Sequence, residues 1–506
     1  MHIVLASSEV VPFAKTGGLA DVCGALPVEL EKLGHQVTLF LPAYRSVYQH
    51  LQNPKELDVS VAVPLGKKFV EGSFLQTQLP GSQVEVILVN QPNYFHRHEL
   101  YGEQGADYED NSERFIFFSR AVLEGIRLLD LDAELIHCND WQTGMIPALL
   151  KCEYQENPRY ESIRSLMTIH NIAYQGNFWH WDMLLTGLDW KHFTWKEMEH
   201  YGRLNLLKTG IVFADMINTV SPTYAREIQT AEHGAGLDSV LRHRANRLTG
   251  ILNGIDTQEW NPQTDPHLIA NYSPPGSPQE LLSSSSLEGK ARCKEALQSE
   301  MRLSQNSRTP LIGLVGRLCS QKGWSLILPV MRHWLEQNDS QWVVLGTGDP
   351  DIQNVLETLH RQYPHRLAVN LGFSNPLAHR IEAGADLFLM PSQYEPCGLN
   401  QMYSMAYGTV PVVRRTGGLA DTVVNTTKET LQDGTANGFS FDEFTSTALE
   451  HCLGRAVEIY RQHPDLWTRI MSAGMARDWS WGASASKYAQ LYQQTLLRGR
   501  EQISHG

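Results

Sequence analysis

The sequence predicts an α/β chain built from two Rossmann-like, doubly wound domains, and three observations carry that prediction. Apolar runs of strand length alternate with amphipathic helical segments along most of the chain, which is the rhythm of parallel βαβ sheets. The hexapeptide Thr-Gly-Gly-Leu-Ala-Asp occurs twice, at Thr16 to Asp21 and at Thr416 to Asp421, each copy following a cation, Lys15 or Arg415. At 506 residues the chain is also too long for one core, and length alone allows roughly two to four domains.

The elements follow in order. A strand runs over 2–7, and after a short insert that includes Glu9 comes the first Gly-Gly turn. Strand, glycine turn and helix start together make an anion site, because unpaired N–H groups and the positive end of the helix dipole converge there. Paired glycines let backbone approach a phosphate where a Cβ would clash. A helix over 25–33 leads to strands over 36–42, 84–90, 135–139, 165–170 and 216–221, with a further helix over 114–129. Asn253-Gly-Ile-Asp256 is a turn signal, and proline, glycine and serine crowd 273–278 and 283–286, which reads as surface loop. The hinge between halves is placed at 254–260. The second half repeats the rhythm, with a helix over 290–297 and strands over 311–317, 342–346, 367–371, 387–391 and 410–414, the last entering the second Gly-Gly turn. A terminal helix over 485–497 either packs on its own domain or crosses back to the first. Two copies of one turn point to two similar domains facing a common ligand.

Composition narrows the partners. Hydrophobic content of 42% and charged content of 19% are those of a soluble globular protein. A formal net charge of −13 argues against nucleic acid and against an anionic membrane surface. The start enters a strand at once, without the pattern of a signal peptide, and no apolar run reaches the ~20 residues that span a bilayer. The 7 cysteines are scattered, without metal-ligand or CxxC spacing. A cytoplasmic, reduced protein without a metal site is expected.

In doubly wound sheets ligands bind at the carboxyl ends of strands, and those ends are chemically rich here. Asp140 and Trp141 end one strand, His170 and Asn171 another; Arg317 and Lys322 flank a turn, and Glu395-Pro-Cys-Gly-Leu399 follows a fourth strand. Singly, each has a plain structural reading as a hydrogen-bonded core histidine, a solvated cation or a helix cap. Together they place polar groups at strand ends in both halves.

These motifs, in this order, resemble the signature set of bacterial glycogen synthases and plant starch synthases, which use ADP-glucose and have the GT-B fold, two Rossmann-like domains facing a central cleft. The likeness runs from Met1 to about Leu497, and Lys15-Thr-Gly-Gly-Leu19 and Glu395-Pro-Cys-Gly-Leu399 are its most specific parts. It implies an acceptor-side domain at 1–255, completed by a crossing C-terminal helix at about 480–506, and a nucleotide-sugar domain at 256–479. It implies transfer of glucose from ADP-glucose to the non-reducing end of an α-1,4-glucan with retention of configuration, with both compounds as substrates and no cofactor. No Asp-x-Asp pair is expected to hold a metal, so Arg317 and Lys322 are expected to neutralise the departing diphosphate, fixed donors aimed at developing charge being a large catalytic term. Lys15, Gly17, Gly18, Cys397, Gly398 and Leu399 are expected around the same diphosphate. Phe373 matches the position at which the family stacks an aromatic ring on the nucleobase. By the same resemblance Glu395 grips the glucose hydroxyls, His170 contacts the sugar near its 6-hydroxyl, Asp140 lies near the acceptor and reaction centre, and Asn253 lies on the sugar side. Because donor-binding groups fall in both halves, closure about a hinge near Gly254 is expected.

Two departures matter. Many related glycosyltransferases carry a second Glu eight positions after the first; here that position is Tyr403, which speaks against the sucrose- and lipid-glycosylating relatives. Gln393 and Asn400 flank the signature, and a diphosphate contact by Asn400 stays open. A UDP-glucose-dependent GT-B enzyme and a noncatalytic glucan-binding protein are the alternatives; a phosphorylase would need lysine-bound pyridoxal phosphate and a longer chain, and neither turn has the G-x-G-x-x-G of a dehydrogenase.

Overall fold

A computed structural model describes residues 1–51, 54–273 and 287–503. The chain divides into two units, Met1–Asn253 with Trp481–Gly506, and Gly254–Ser480.

The first unit is organised by a nine-stranded sheet of β1 (His2–Ala6), β2 (Gln36–Pro42), β3 (Lys55–Leu65), β4 (Lys68–Gln78), β5 (Glu85–Asn90), β6 (Leu135–Asn139), β7 (Arg164–Ile169), β8 (Met216–Thr219) and β9 (Leu248–Gly250). Their order is β9-β8-β7-β6-β1-β2-β5-β4-β3. β1 is fully buried and pairs in parallel on both sides, Leu5 with Leu39 of β2 and with His137 of β6. Pairing is parallel from β9 to β5, but β4 and β3 return antiparallel. The sequence predicts the parallel sheet and marks no strand over 55–78, so this antiparallel hairpin is an addition to it. β3 buries only alternate residues toward its end, Val61, Val63 and Leu65, the pattern of an edge strand rather than a continuous apolar run.

Helices cover this sheet. Helix Gly18–Lys32 buries Leu19, Val22, Cys23, Leu26 and Leu30; helix Asn111–Leu128 buries Phe115, Phe118, Val122 and Ile126. Helix Trp481–Ile503 packs beside the first of these. Tyr492 OH and His137 Nδ1 lie 2.9 Å apart, and Asn218 Nδ2 donates to Tyr488 OH at 2.9 Å. Buried polar groups beneath the sheet thus take their partners from the far end of the chain, as buried polar groups must find partners somewhere.

The second unit has six parallel strands, β10 (Leu311–Val315), β11 (Gln341–Leu345), β12 (Leu367–Asn370), β13 (Leu387–Met390), β14 (Val410–Arg414) and β15 (Phe439–Phe441), ordered β12-β11-β10-β13-β14-β15. Helix Glu288–Glu300 leads into it, and the buried core includes Ile312, Trp334, Trp342, Leu356, Leu453 and Trp467. The predicted loop at 273–278 and 283–286 lies, beyond Ser273, outside the described residues. Strand order reverses between β1 and β6 in one unit and between β10 and β13 in the other. Successive crossovers leave in opposite directions there, which opens a crevice at the carboxyl ends. Among the described residues, no helix is long and apolar enough to cross a membrane.

Candidate active site

In the second unit the reversal point gathers the cations and the signature carboxylate. Past β10 the chain runs through Arg317 into a single turn, Ser320–Lys322, and then helix Trp324–Gln337. Gly323 ends that turn at φ 78°, and a Cβ there would collide with the Pro391 carbonyl oxygen, so glycine seats the Lys322 turn directly against the segment that follows β13. Lys322 Nζ lies 2.6 Å from Glu395 Oε2, to which Ser392 Oγ also donates at 3.0 Å. Glu395 is only 6% exposed, so the pair is short and largely out of water, where its Coulomb attraction is least screened. Arg317 is exposed and donates to Gln321 Oε1 at 3.1 Å; Gln321 in turn donates to the Tyr394 carbonyl and accepts from the Gln393 N–H. Both cations are therefore tied to the loop that carries Glu395. Cys397 is buried, Gly398 adopts φ 71°, and Leu399 precedes helix Asn400–Ala406. Asn400 Nδ2 donates to the Val315 carbonyl at 2.8 Å, which fastens the signature helix to the end of β10. Phe373 stands 91% exposed after β12, a large ring without cover.

Tyr403 has a defined place. Its ring stacks on Trp260 at 3.8 Å, and Trp260 stacks on His379 at 3.9 Å. His379 Nδ1 lies 2.8 Å from Asp265, which also accepts from Tyr407 OH. Burial pulls the His379 pKa down, but its bonds to Asp265 and Glu259 outweigh that and raise it to about 9.

In the first unit the site forms where β1 and β6 end. Glu9 accepts hydrogen bonds from Thr16 N at 2.5 Å, Thr16 Oγ1 at 2.6 Å, Gly17 N at 3.1 Å and Tyr101 OH at 2.8 Å. A carboxylate of the chain itself thus fills part of the predicted anion site. The amides of Gly18 and Leu19, the first of their helix, have no intrahelical acceptor. Lys15 Nζ meets Asp21 at 2.7 Å on an exposed face. A Cβ added to Gly17 or Gly18 meets nothing within 4 Å.

The second hexapeptide differs. Gly417, at φ 45°, and Gly418 lie so close to the signature loop that a Cβ would strike the carbonyl oxygens of Glu395 and Cys397. The Gly418 N–H donates to the Glu395 and Pro396 carbonyls at 3.2 and 3.1 Å. The expectation that both turns serve a ligand is corrected for these two glycines: they support the Glu395 loop.

Asp140 sits at φ 56°, nearly buried, and its Oδ1 accepts from His170 N at 2.8 Å, joining the ends of β6 and β7. Burial pushes its pKa up; the N–H groups of His170 and Asn171 oppose this, the charge of Glu9 adds to it, and the value reaches about 7. Burial lowers the His170 pKa to about 3, so the ring is neutral. The Asn139 amide donates to Ala6 O at 3.1 Å, so its oxygen accepts from His170 Nε2 at 2.9 Å and the lone pair is left on Nδ1. Asn253, the last residue before the second unit, is 8% exposed, and its side-chain oxygen has no hydrogen-bond partner among the described residues. Glu9, Tyr101, Ser392 and Gln321 were not singled out as site residues from the sequence; Glu9 lies in the short insert, and the other three show only once the loops are folded.

Two pairs of Asp-x-Asp spacing do occur, Asp130/Asp132 and Asp349/Asp351. Asp130 is paired with Arg159 and precedes β6, away from its carboxyl end. Asp349 caps helix Pro350–Gln362 by accepting from the Asp351 N–H at 2.9 Å. Among the described residues, no group of three or more His, Cys, Asp or Glu side chains is placed to hold a metal ion.

Comparison with known proteins adds the chemistry. Residues 2–243 match the starch synthase catalytic domain and residues 298–462 the glycosyl transferases group 1 domain. A glycogen synthase of Rhodopirellula baltica is 46% identical over 100% of both chains. One from Syntrophotalea carbinolica is 46% identical over 98% of this chain and 99% of its own. Among solved structures, the catalytic domain of starch synthase IV from Arabidopsis thaliana, bound to ADP and acarbose, is similar with a TM-score of 0.87 and 35% identity, covering 98% of this chain and 99% of that one. A sucrose-phosphate synthase from Thermosynechococcus elongatus, at 17% identity and a TM-score of 0.57, shares the fold.

Proposed function

The chain belongs to the family of glycogen synthases and starch synthases, a hexosyltransferase that extends an α-1,4-glucan, and from that premise we propose that its donor is ADP-glucose and that the two reversal points supply the groups for transfer. The observation that carries the reading is the Lys322–Glu395 pair at 2.6 Å. It sets a cation suited to a departing phosphate beside a buried carboxylate suited to sugar hydroxyls, at one strand end.

In this reading Arg317 and Lys322 stabilise the negative charge that grows on the diphosphate as the anomeric bond breaks. Cys397, Gly398 and Leu399 present backbone beside it; Lys15, Gly17 and Gly18 are assigned to phosphate as well, where the bare glycines leave room. Glu395 accepts from glucose hydroxyls. His170, neutral with its lone pair on Nδ1, accepts from the 6-hydroxyl, and the unsatisfied oxygen of Asn253 accepts from another sugar hydroxyl. Asp140, titrating near neutrality, receives a hydrogen bond from the acceptor when ionised. Phe373 offers a stacking face to the base. That face suits uracil as well as adenine, and the preference for adenine draws support from the starch synthase IV relative, which was bound to ADP. Labelled ADP-glucose and UDP-glucose offered in parallel with a glycogen primer test the assignment. Preferential incorporation from ADP-glucose is expected; equal or better incorporation from UDP-glucose would replace it with the alternative donor.

A further inference from the structure

The second hexapeptide supports the Glu395 loop, and one buried side chain joins the two. Gln401, the second residue of helix Asn400–Ala406, is fully buried. Its Nε2 donates to the Cys397 and Gly398 carbonyls, each at 3.1 Å, and to Thr422 Oγ1 at 3.3 Å. Thr422 closes the short helix Gly417–Thr422 that the second Gly-Gly turn opens. Its hydroxyl donates to the Gly418 carbonyl at 2.6 Å, so toward Gln401 it acts as an acceptor. The carboxamide can therefore stand only one way round: turned over, its oxygen would face two carbonyl oxygens. In this orientation Oε1 is buried without a hydrogen-bond partner among the described residues, an unfavourable state that the donated bonds must offset.

What those bonds do follows from the peptide plane. In a trans peptide the C=O and N–H point in opposite directions. Holding the Cys397 and Gly398 carbonyls toward Gln401 therefore turns the N–H groups of Gly398 and Leu399 away from it. The backbone agrees. Gly398 has φ 71° and Leu399 follows at φ −120°, ψ −36°, an alternation of hand that directs successive N–H groups to one side as an anion-binding nest. Neither N–H donates to an acceptor among the described residues. A Cβ on Gly398 would stand 2.5 Å from Gln401 Oε1, so the bare glycine leaves room for the carboxamide.

We propose that Gln401 is a positioning residue of the donor site: from inside the fold it orients the Cys397–Gly398–Leu399 backbone so that two successive N–H groups meet the diphosphate. The proposal rests on the diphosphate reading above. Gln401 itself touches no substrate in it, and Thr422 ties the second hexapeptide to the same task, as the anchor of the carboxamide.

Inhibition constants for ADP and for adenosine separate the diphosphate from the nucleoside. In Gln401→Met, similar in size but without a donor, the ADP constant and the KM for ADP-glucose should rise about tenfold or more, the range for weakened hydrogen bonds to a charged group. The adenosine constant and the KM for glycogen should hold. Thr422→Val, which leaves Gln401 in place, should shift the ADP-to-adenosine ratio in the same direction and by less, and Thr422→Ser, which keeps the hydroxyl, should restore it. A side chain that merely fills the core would move the melting temperature and leave that ratio alone. A wild-type ratio in Gln401→Met overturns the proposal, as does, should that variant not fold, a wild-type ratio in Thr422→Val. A wild-type enzyme that binds adenosine as tightly as ADP would overturn the diphosphate reading, and this proposal with it. Should UDP-glucose prove the better donor, UDP and uridine take the same places in the test, so the base assignment and the role of Gln401 fail separately.

Discussion

The turn at Thr16 and the turn at Thr416 are identical over six residues, yet they sit in opposite circumstances. The first faces open space, with a carboxylate of the chain across two of its amides and its leading helix amides without an intrahelical acceptor. The second is closed against the backbone of the Glu395 loop, leaving no room for even a methyl group. The same contrast runs through the surroundings. The histidines of the first unit at this level, His137 and His170, are buried and neutral, while the second unit assembles Arg317, Lys322, Glu395 and a protonated His379. A repeated motif fixes a backbone shape; whether that shape meets a ligand or a neighbouring loop depends on what the rest of the unit places in front of it.

The strongest blow to the contrast is removal of charge. Replacing Arg317 with Ala should lower turnover by roughly 10²–10³ with the melting temperature held, since the residue is exposed. Lys322→Ala should lose at least as much turnover and also destabilise. It leaves Glu395 buried without its cation, at a cost of about 2–3 kcal/mol once the quarter exposure of Lys322 is discounted. Lys15→Ala, whose cation is exposed and already paired, should lose only about tenfold. Steady-state kinetics with thermal melts on all three reads both effects, and a normal Arg317→Ala rate would remove the diphosphate assignment.

Methyl groups come next. Gly417→Ala or Gly418→Ala should destabilise by about 2–4 kcal/mol through overpacking, with left-handed strain added at Gly417. Gly17→Ala should leave stability within about 1 kcal/mol, because its backbone is extended and its Cβ has space, while raising the donor KM. Equal melting temperatures for the Gly17 and Gly417 variants would erase the distinction between the turns.

Smaller effects follow from pH. His137 and His170 have folded pKa values depressed from 6.5 to about 3, so their contribution is present above pH 6.5 and is lost as pH falls toward 3. His379 is raised to about 9, so its contribution is complete below pH 6.5 and is lost as pH rises through 9. Asp140, raised from 3.8 to about 7, runs with His379: its contribution is lost between those values as pH rises. Melts across pH in wild type and His379→Gln should show the alkaline loss flattened in the variant, with the acid limb unaffected. In kinetics, activity should climb as Asp140 ionises near pH 7, and Asp140→Asn should abolish that limb. The smallest expected effect is none: activity should persist after exhaustive EDTA treatment, with Arg317 and Lys322 in place of a metal, and loss restored by magnesium alone would refute that substitution.

The parallel strands were legible because each is a short, nearly unbroken apolar run; predicted and observed β2, β6 and β14 coincide. The β3–β4 hairpin was not, because alternation with Lys55, Glu56 and Asp58 dilutes its apolar signal. The site's charged residues were legible as motifs at strand ends. Their partners were not: the clasp of Glu9 on Thr16 and Gly17, and the stack of Tyr403 on Trp260, join residues whose adjacency exists only after the sheets form. Nor does spacing distinguish a glycine kept bare for a ligand from one kept bare for a carbonyl. That difference lies wholly in packing.

The helix at Trp481–Ile503 carries a further consequence, for the order of events during synthesis. A ribosome releases the strands of the first unit early, but Tyr488 and Tyr492, the partners of Asn218 and His137, emerge only after the whole of Gly254–Ser480. The second unit, continuous in the chain, can close while the first still waits for a helix, and at roughly 5–20 residues per second that wait lasts tens of seconds or less. The part made first is therefore the part finished last. A nascent chain stalled before Trp481 exposes a nearly complete sheet with a bare helix-binding face, the form in which chaperones would meet this protein.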